Sequence, residues 1–425
     1  MEKLQAVRGM NDVLPADSSK WEFFEETVTR VARQYGYRNM RAPIVEYTPL
    51  FVRSIGEVTD IVEKEMYSFE DKLNGEKLTL RPELTAGLVR AAVEANLTYN
   101  GPVRIYTMGE VFRHERPQKG RYRQFNQFDV ECFGFDGPDV DAEIMVMTAR
   151  IWRELGINDV RLEINTLGDV KDRMIYRQKL IRHYEDNLAA LDDEAKRRLL
   201  TNPMRILDSK VASVIEVNRT APNLLDELSD ASKSHFDGLK KYLDEARVPF
   251  IVNPRIVRGM DYYNRTAFEF VTDRFGSPLT VCGGGRYDGL FEQLGGKPTP
   301  AIGFGMGVER VLMMLENQGH LAPIDAYVVY SVGEPHKTAN SLAERLRDEG
   351  LAIAVHALGQ GGVASFKSQM KKADASGARY ALVIGDNEVA AGTVAVKPLR
   401  DAHGAAIQGE QAIILGSAVA AHLHG

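Results

Sequence analysis

Between Ser18 and Tyr35 the apolar residues Trp21, Phe24, Val28 and Val31 recur every three or four positions, and Gly36 follows. That period predicts an amphipathic helix with a glycine stop. Pro43 closes the short extended run after it. Residues 76–82, 103–108 and 126–135 carry strand patterns, and 83–94 and 142–155 the helical period. From Lys171 to Arg247 glycine nearly vanishes, charge rises and strand signals disappear, which predicts a helical insertion. Glycine and strand aromatics return near Val252 and run to Gly307. Residues 319–323 read as a linker. Beyond it, apolar runs at 326–332, 352–356 and 380–385 alternate with helical patterns at 337–349 and 363–376. That order predicts a small parallel α/β domain. No internal repeat is visible.

Composition changes this picture little. The 425 residues suggest roughly two to four domains. Hydrophobic residues make up 44% and charged residues 26%, an ordinary globular balance. No stretch approaches the ~18 apolar residues of a membrane span. Met1 to Gln5 lacks the apolar core of a signal peptide. Cys132 and Cys282 form neither a disulfide framework nor a metal-ligand spacing. A reduced, cytoplasmic protein is the expectation. The histidines show no H-x-x-x-H pair, so no protein-bound metal is assigned. With a net charge of −6, any nucleic-acid contact must come from local basic patches.

Two segments carry candidate chemistry. Phe112-Arg113-His114-Glu115 is followed by a basic loop from Arg116 to Arg123, then by Gln124-Phe125-Asn126-Gln127-Phe128-Asp129. This predicts two strands joined by an arginine-loaded loop. Strand alternation would put Arg113 and Glu115 on one face and His114 on the other. A fixed guanidinium such as Arg113 suits an α-phosphate under attack, and Glu115 can accept from an amino group. An isolated Arg-x-Glu is more often a surface ion pair. Arg121, Arg123 and Phe125 after the loop make the combination more specific. In the second segment Gly303, Gly305 and Gly307 alternate along a strand that runs into a helix opening on Glu309-Arg310. Glycines there suggest close approach to the backbone. A cation in a first helical turn meets the unfavourable end of the helix dipole, so Arg310 calls for an anionic partner. Its planar group can also stack. Neither a G-x-x-x-x-G-K-[ST] loop nor a G-x-G-x-x-G between strand and helix is present.

These two segments resemble motifs 2 and 3 of the class II aminoacyl-tRNA synthetases. Gly36-Tyr37 with Pro43 resembles motif 1, and Leu80-Arg81-Pro82-Glu83-Leu84-Thr85 an amino-acid-binding turn. Arg258-Gly259-Met260-Asp261-Tyr262-Tyr263 and Gly283-Gly284-Gly285-Arg286-Tyr287-Asp288-Gly289-Leu290 resemble the two signatures of the histidyl-tRNA synthetases, in the right order. The resemblance covers essentially the whole chain. It implies an α+β catalytic core, a class II antiparallel sheet flanked by helices, over 1–323 with the insertion at 171–247. It implies a C-terminal α/β anticodon-binding domain over 324–425, and a homodimer built on motif 1.

The implied reaction joins L-histidine to histidine tRNA in two steps with ATP, accompanied by Mg²⁺. Arg113, Arg258 and Arg310 are the implied catalytic residues, with Arg258 opposite Arg113 across the α-phosphate. Arg113, Glu115, Arg121, Phe125 and Arg310 would bind ATP, Phe125 by stacking on adenine. Glu131 and Tyr263 would bind the imidazole, and Glu83, Thr85 and Gln127 the α-amino group. Tyr262 and Tyr287 would wall the amino-acid pocket, which Arg113 and Arg258 also touch. Arg116, Gln118 and Arg123 are candidates to read an extra 5′ guanosine of the tRNA. Lys367, Lys371 and Lys372, with Ser365, Phe366 and Gln369 among them, are candidates for anticodon contact. Two other readings stand beside this one. One is a non-catalytic regulatory subunit of an ATP phosphoribosyltransferase, which the retained arginines and the C-terminal domain oppose. The other is a class II synthetase for proline, threonine or glycine.

Overall fold

Side-chain alternation on two paired strands, Gln124–Phe133 and Ala301–Gly307, decides which face of the main sheet becomes core and which is left for chemistry. Phe128, Val130 and Cys132 on the first, and Ile302, Phe304 and Met306 on the second, are buried in one cluster. Gln127, Asp129 and Glu131, with Gly303, Gly305 and Gly307, take the opposite face. The computed structural model describes residues 3–56, 59–257, 260, 262–315, 324–359, 364–401 and 405–424. The chain forms two compact units, Met1–Glu316 and Asn317–Gly425.

The first unit is built on an eight-stranded sheet. In spatial order its strands are Arg38–Asn39, Val103–Phe112, Gln124–Phe133, Ala301–Gly307, Leu279–Arg286, Asn264–Thr272, Arg161–Thr166 and Phe250–Val252. The outermost pair at each end is parallel and the rest are antiparallel. Helix Pro15–Gln34 starts on a proline, whose missing N–H is harmless in a first turn. It packs Phe24, Val28 and Val31 on the apolar face, beside Ile144, Met147 and Ile151 of helix Pro138–Glu154. Burial of each such side chain contributes about 1.5–3 kcal/mol. The expected strand at 103–108 continues to Phe112, and the helix expected from 83 begins at Thr85.

The charged stretch 171–247 is helical, as its texture predicts, but it divides between two cores. Val170–Asp186, Asp193–Thr201 and Ala212–Asn218 surround a cluster of their own that includes Tyr176, Leu180, Tyr184, Leu199 and Val214. The last helix, Asp230–Glu245, instead places Phe236, Leu239 and Leu243 in the main core. Asp172 ties the two ends of the excursion together. It accepts from the Asp169 N–H at 3.0 Å in a capping box, and from the Ser229 N–H at 2.9 Å.

The second unit holds a five-stranded sheet in the order Ile353–Val355, Ala326–Tyr330, Tyr380–Ile384, Thr393–Pro398, Ala412–Leu415. Its first three strands are parallel, as expected, but the last two are antiparallel, so the domain is mixed. A parallel crossover needs a dozen or more residues, and only the short helix Asp386–Ala391 lies between Ile384 and Thr393. Gly392, at φ +66°, then turns the chain back. The helix expected over 363–376 is Phe366–Ala375, capped by Ser365. Gln369 does not share the exposed face with Lys367, Lys371 and Lys372. It is buried, with its amide bonded to both the N–H and the C=O of Tyr330 at 3.0 and 2.8 Å. The expected linker at 319–323 lies outside the described residues.

Candidate active site

The open face of the main sheet has a floor of glycine. Gly283 pairs with Gly305 and Gly285 with Gly303 across neighbouring strands. A Cβ on Gly303 would collide with the Glu131 carboxylate, and one on Gly305 would stand 2.7 Å from Gln127 Nε2 and 3.0 Å from Asp129 Oδ1. The glycines therefore make room for three polar side chains of the adjacent strand. Above them lies a cavity of about 260 Å³.

One end of the cavity is cationic. Arg113, Arg121 and Arg310 all line it. Arg113 donates from Nε to the Pro82 carbonyl at 2.8 Å, and its guanidinium lies 5.4 Å from the centre of the Phe125 ring. Arg310 donates to the Gly120 and Thr280 carbonyls at 3.0 and 2.8 Å. Burial lowers the Arg310 pKa, and the neighbouring Arg121 and Arg113 charges lower it further. Its protein partners are thus carbonyls rather than a carboxylate. Glu309 also lines the cavity, and its carboxylate accepts from the Asn126 backbone N–H at 2.8 Å and from its amide at 3.0 Å.

The chain corrects the strand expectation for Arg113 and Glu115. The strand ends at Phe112, and the Glu115 N–H bonds the Arg113 carbonyl at 2.7 Å, a tight local turn that abolishes alternation. Glu115 still lines the cavity and pairs with Arg121 at 3.1 Å. His114 sits outside, edge-on to Tyr67. The loop beyond is a miniature hairpin: Gln118 and Arg121 exchange backbone bonds at 3.0 and 2.9 Å around Gly120, at φ +75°. Arg116 and Gln118 are exposed. Arg123 is tied into the base of the loop, giving its backbone N–H to Gly9 and its Nε to Glu115 O at 3.1 Å.

The other end is acidic and buried. Glu83, Thr85, Gln127, Tyr262 and Tyr263 line the cavity. Glu83 accepts from the Ala86 N–H at 2.8 Å, and burial raises its pKa. Glu131 and Tyr287 do not line the cavity but stand directly behind it. Glu131 accepts from the Thr85 hydroxyl at 2.7 Å and from the Tyr287 hydroxyl, and burial pushes its carboxyl up to about 8. Tyr262, Tyr263 and Tyr287 form an aromatic group with ring centres 4.6–6.3 Å apart. Arg286 and Asp288 hold Tyr287 from both sides along the chain. Arg286, fully buried, pairs with Asp141 at 2.6 Å and donates to the Phe135 and Gly137 carbonyls, while Asp288 accepts from the Ala301 N–H. Arg258 lies outside the described residues.

Sequence reasoning missed Asp129, which lines the same cavity. The spacing Gln127-x-Asp129-x-Glu131 on one strand was the available signal. Among the described residues no group of three His, Cys, Asp or Glu side chains is placed to hold a metal ion. No helix among them is long and apolar enough to cross a membrane.

Residues 9–311 match the family model for histidyl-tRNA synthetase, and 325–413 that for the anticodon binding domain. The histidine–tRNA ligase of Burkholderia pseudomallei (strain 668) is 56% identical over 415 residues, 97% of this chain and 92% of that protein. That of Paraburkholderia phytofirmans is 55% identical over 415 residues, 97% of this chain and 93% of the relative. The crystal structure of apo S. aureus histidyl-tRNA synthetase superposes with a TM-score of 0.80 at 34% identity, covering all of both chains. The structure of an ATP phosphoribosyltransferase regulatory subunit/histidyl-tRNA synthetase from Bacillus halodurans shares the fold, with a TM-score of 0.65 at 21% identity over 91% of this chain and 98% of that one. By the extent of both the family match and the sequence identity, this chain belongs to the histidyl-tRNA synthetase family.

Proposed function

We propose that the chain activates L-histidine with ATP and transfers it to histidine tRNA. The observation that carries this reading is the polarity of one cavity, with three guanidiniums at one end and buried carboxylates at the other. Arg113, Arg121 and Arg310 repel one another until a polyanion arrives. The triphosphate of ATP meets that need, with Mg²⁺ carried in on its phosphates. Adenine stacks on Phe125 once the Arg113 guanidinium turns to the α-phosphate. The carboxylate of histidine then attacks that phosphorus and pyrophosphate leaves. Glu83, Thr85 and Gln127 hold the α-ammonium, while Glu131, through its link to Tyr287, and Tyr263 address the imidazole. In the second step a ribose hydroxyl of the tRNA attacks the acyl carbonyl and AMP leaves. No side chain stands out as base for that hydroxyl, so a phosphate oxygen of the adenylate takes the proton. ATP–pyrophosphate exchange over a panel of amino acids tests the reading. Exchange with histidine alone supports it. No exchange with any amino acid would point to the regulatory role, and exchange with proline, threonine or glycine to another specificity.

Residues 1–323 supply this chemistry, with 171–247 inserted, and 324–425 read the anticodon. The exposed Lys367, Lys371 and Lys372 suit phosphate contact on a single-stranded loop. The protein acts in the cytoplasm, in keeping with the buried thiols of Cys132 and Cys282. Ile44, Val45 and Tyr47 near motif 1, with Phe69 of strand Tyr67–Glu70, which joins Val45–Tyr47 in a three-stranded sheet through Lys77–Leu80, leave apolar surface exposed. A homodimer covering that surface accounts for it. Sedimentation should give a dimer at micromolar concentration; a fully active monomer would exclude that assembly.

Arg116 and Gln118, exposed on the hairpin, contact the acceptor end of the tRNA. The double substitution Arg116→Ala with Gln118→Ala should lower tRNA charging at least about tenfold, the scale of one lost charged hydrogen bond. Pyrophosphate exchange should stay within about threefold. Equal loss in both assays would place these residues in ATP binding instead.

A further inference from the structure

Asp129 has no place in the assignments above, yet it lines the cavity with a polar atom left unpaired among the described residues. It sits in mid-strand between Gln127 and Glu131 and pairs with Thr107 on one side and Gly305 on the other. It is 2% exposed, and it lines the cavity. Its Oδ1 has no hydrogen-bond partner among the described residues. A buried carboxylate oxygen left without a donor is costly, and such a group in a cavity is matched to a ligand.

The charged groups around it narrow the ligand. Glu131 on its own strand and Glu83 before helix Thr85–Glu94 bring negative charge; Arg81 and Arg113 bring positive charge. Both arginines are engaged elsewhere. Arg81 donates to the Glu110 and Ala42 carbonyls at 2.7 and 2.9 Å, and Arg113 from Nε to Pro82. Burial, reinforced by Glu131 and Glu83, holds the Asp129 carboxyl well above the usual range. A cationic donor arriving beside it relieves both the missing bond and the crowding of carboxylates. An α-amino acid brings such a cation one carbon away from the carboxylate that must meet Arg113.

We propose that Asp129 is a direct ligand of the substrate's α-ammonium group, with its free Oδ1 as the acceptor. This rests on reading the cavity as an amino-acid activation site. It makes Asp129 the residue that distinguishes an α-amino acid from its desamino analogue, alongside the Glu83 turn.

Isothermal titration of the full chain with histidine and with 3-(imidazol-4-yl)propanoate tests it. Asp129→Asn should weaken histidine about tenfold to hundredfold, the range for a hydrogen bond to a charged group. The desamino analogue should change less than about threefold, and so should ATP, which also reports that the variant is folded. Asp129→Ser, which leaves the strand pairing with Thr107 and Gly305 possible, should give the same selective loss if the amide perturbs packing. Unchanged histidine binding, or equal loss for histidine and the analogue, overturns the proposal. A wild-type chain that binds no amino acid at all removes the activation reading, and this role with it, before any variant is made.

Discussion

Arg113→Ala is expected to slow histidyl-adenylate formation about 10²- to 10³-fold, the scale for removing one fixed donor from developing charge. The guanidinium stands where it can exchange its resting contacts for a phosphate. Its Nε holds the Pro82 carbonyl, next to Glu83 of the amino-acid end, and its face rests over Phe125. The residue therefore links both halves of the cavity. Because the interaction strengthens as negative charge redistributes on phosphorus, the loss should fall on the chemical step more than on ATP affinity. Single-turnover quench-flow with saturating ATP and histidine measures it. Arg113→Lys should recover only part of the rate, since an ammonium cannot hold Pro82 and a phosphate oxygen with one planar fork. A loss under about tenfold for alanine, or full recovery with lysine, would remove Arg113 from the transition state.

The site's framework was legible because it is written in alternation. Gly303, Gly305 and Gly307 announced a strand face approached closely, and the structure shows what approaches: the side chains of Glu131, Gln127 and Asp129. The mistakes came where a local hydrogen bond overrode the pattern. Arg113 and Glu115 look like one strand in sequence, but the bond from the Glu115 N–H to the Arg113 carbonyl turns the chain just after Phe112.

Other features depend on partners far away in sequence. Asp129 shares its strand face with Gln127 and Glu131, but nothing nearby in sequence reveals that Glu83, 46 positions upstream, shares its environment. Gln369 has the spacing of an exposed helix face, yet its amide satisfies the backbone of Tyr330 across the second sheet. Helix Asp230–Glu245 reads like the rest of the charged insertion. Only the contact of Phe236 and Leu239 with the main core separates it. Periodicity gives the face a residue occupies, but not the neighbour that face will meet.

Glu131→Gln should weaken histidine binding about tenfold to hundredfold, the range for losing a hydrogen bond to a charged acceptor, and leave ATP affinity nearly unchanged. The same change should make the ligand-free protein more resistant to unfolding at high pH. Glu131 is fully buried behind the cavity, with the Thr85 and Tyr287 hydroxyls as its donors among the described residues, and burial raises its carboxyl from an ordinary 4.5 to about 8. An acid whose folded pKa exceeds its unfolded value contributes stability while it keeps its proton. For Glu131 that contribution is complete below about pH 4.5 and is lost as pH rises through about 8. Each tenfold gain in proton affinity on folding corresponds to about 1.4 kcal/mol, which bounds the loss at roughly 5 kcal/mol. Glutamine carries no charge at any pH and can bond both hydroxyls. Urea unfolding of wild type and variant between pH 5 and 9, without ligand, isolates this group in the difference of the two curves. The variant should gain on the wild type steadily between about pH 5 and 8 and level off above that, where the folded carboxyl also ionises. Parallel curves would mean that Glu131 ionises as an ordinary carboxylate. Unchanged histidine binding would separately remove it from imidazole recognition.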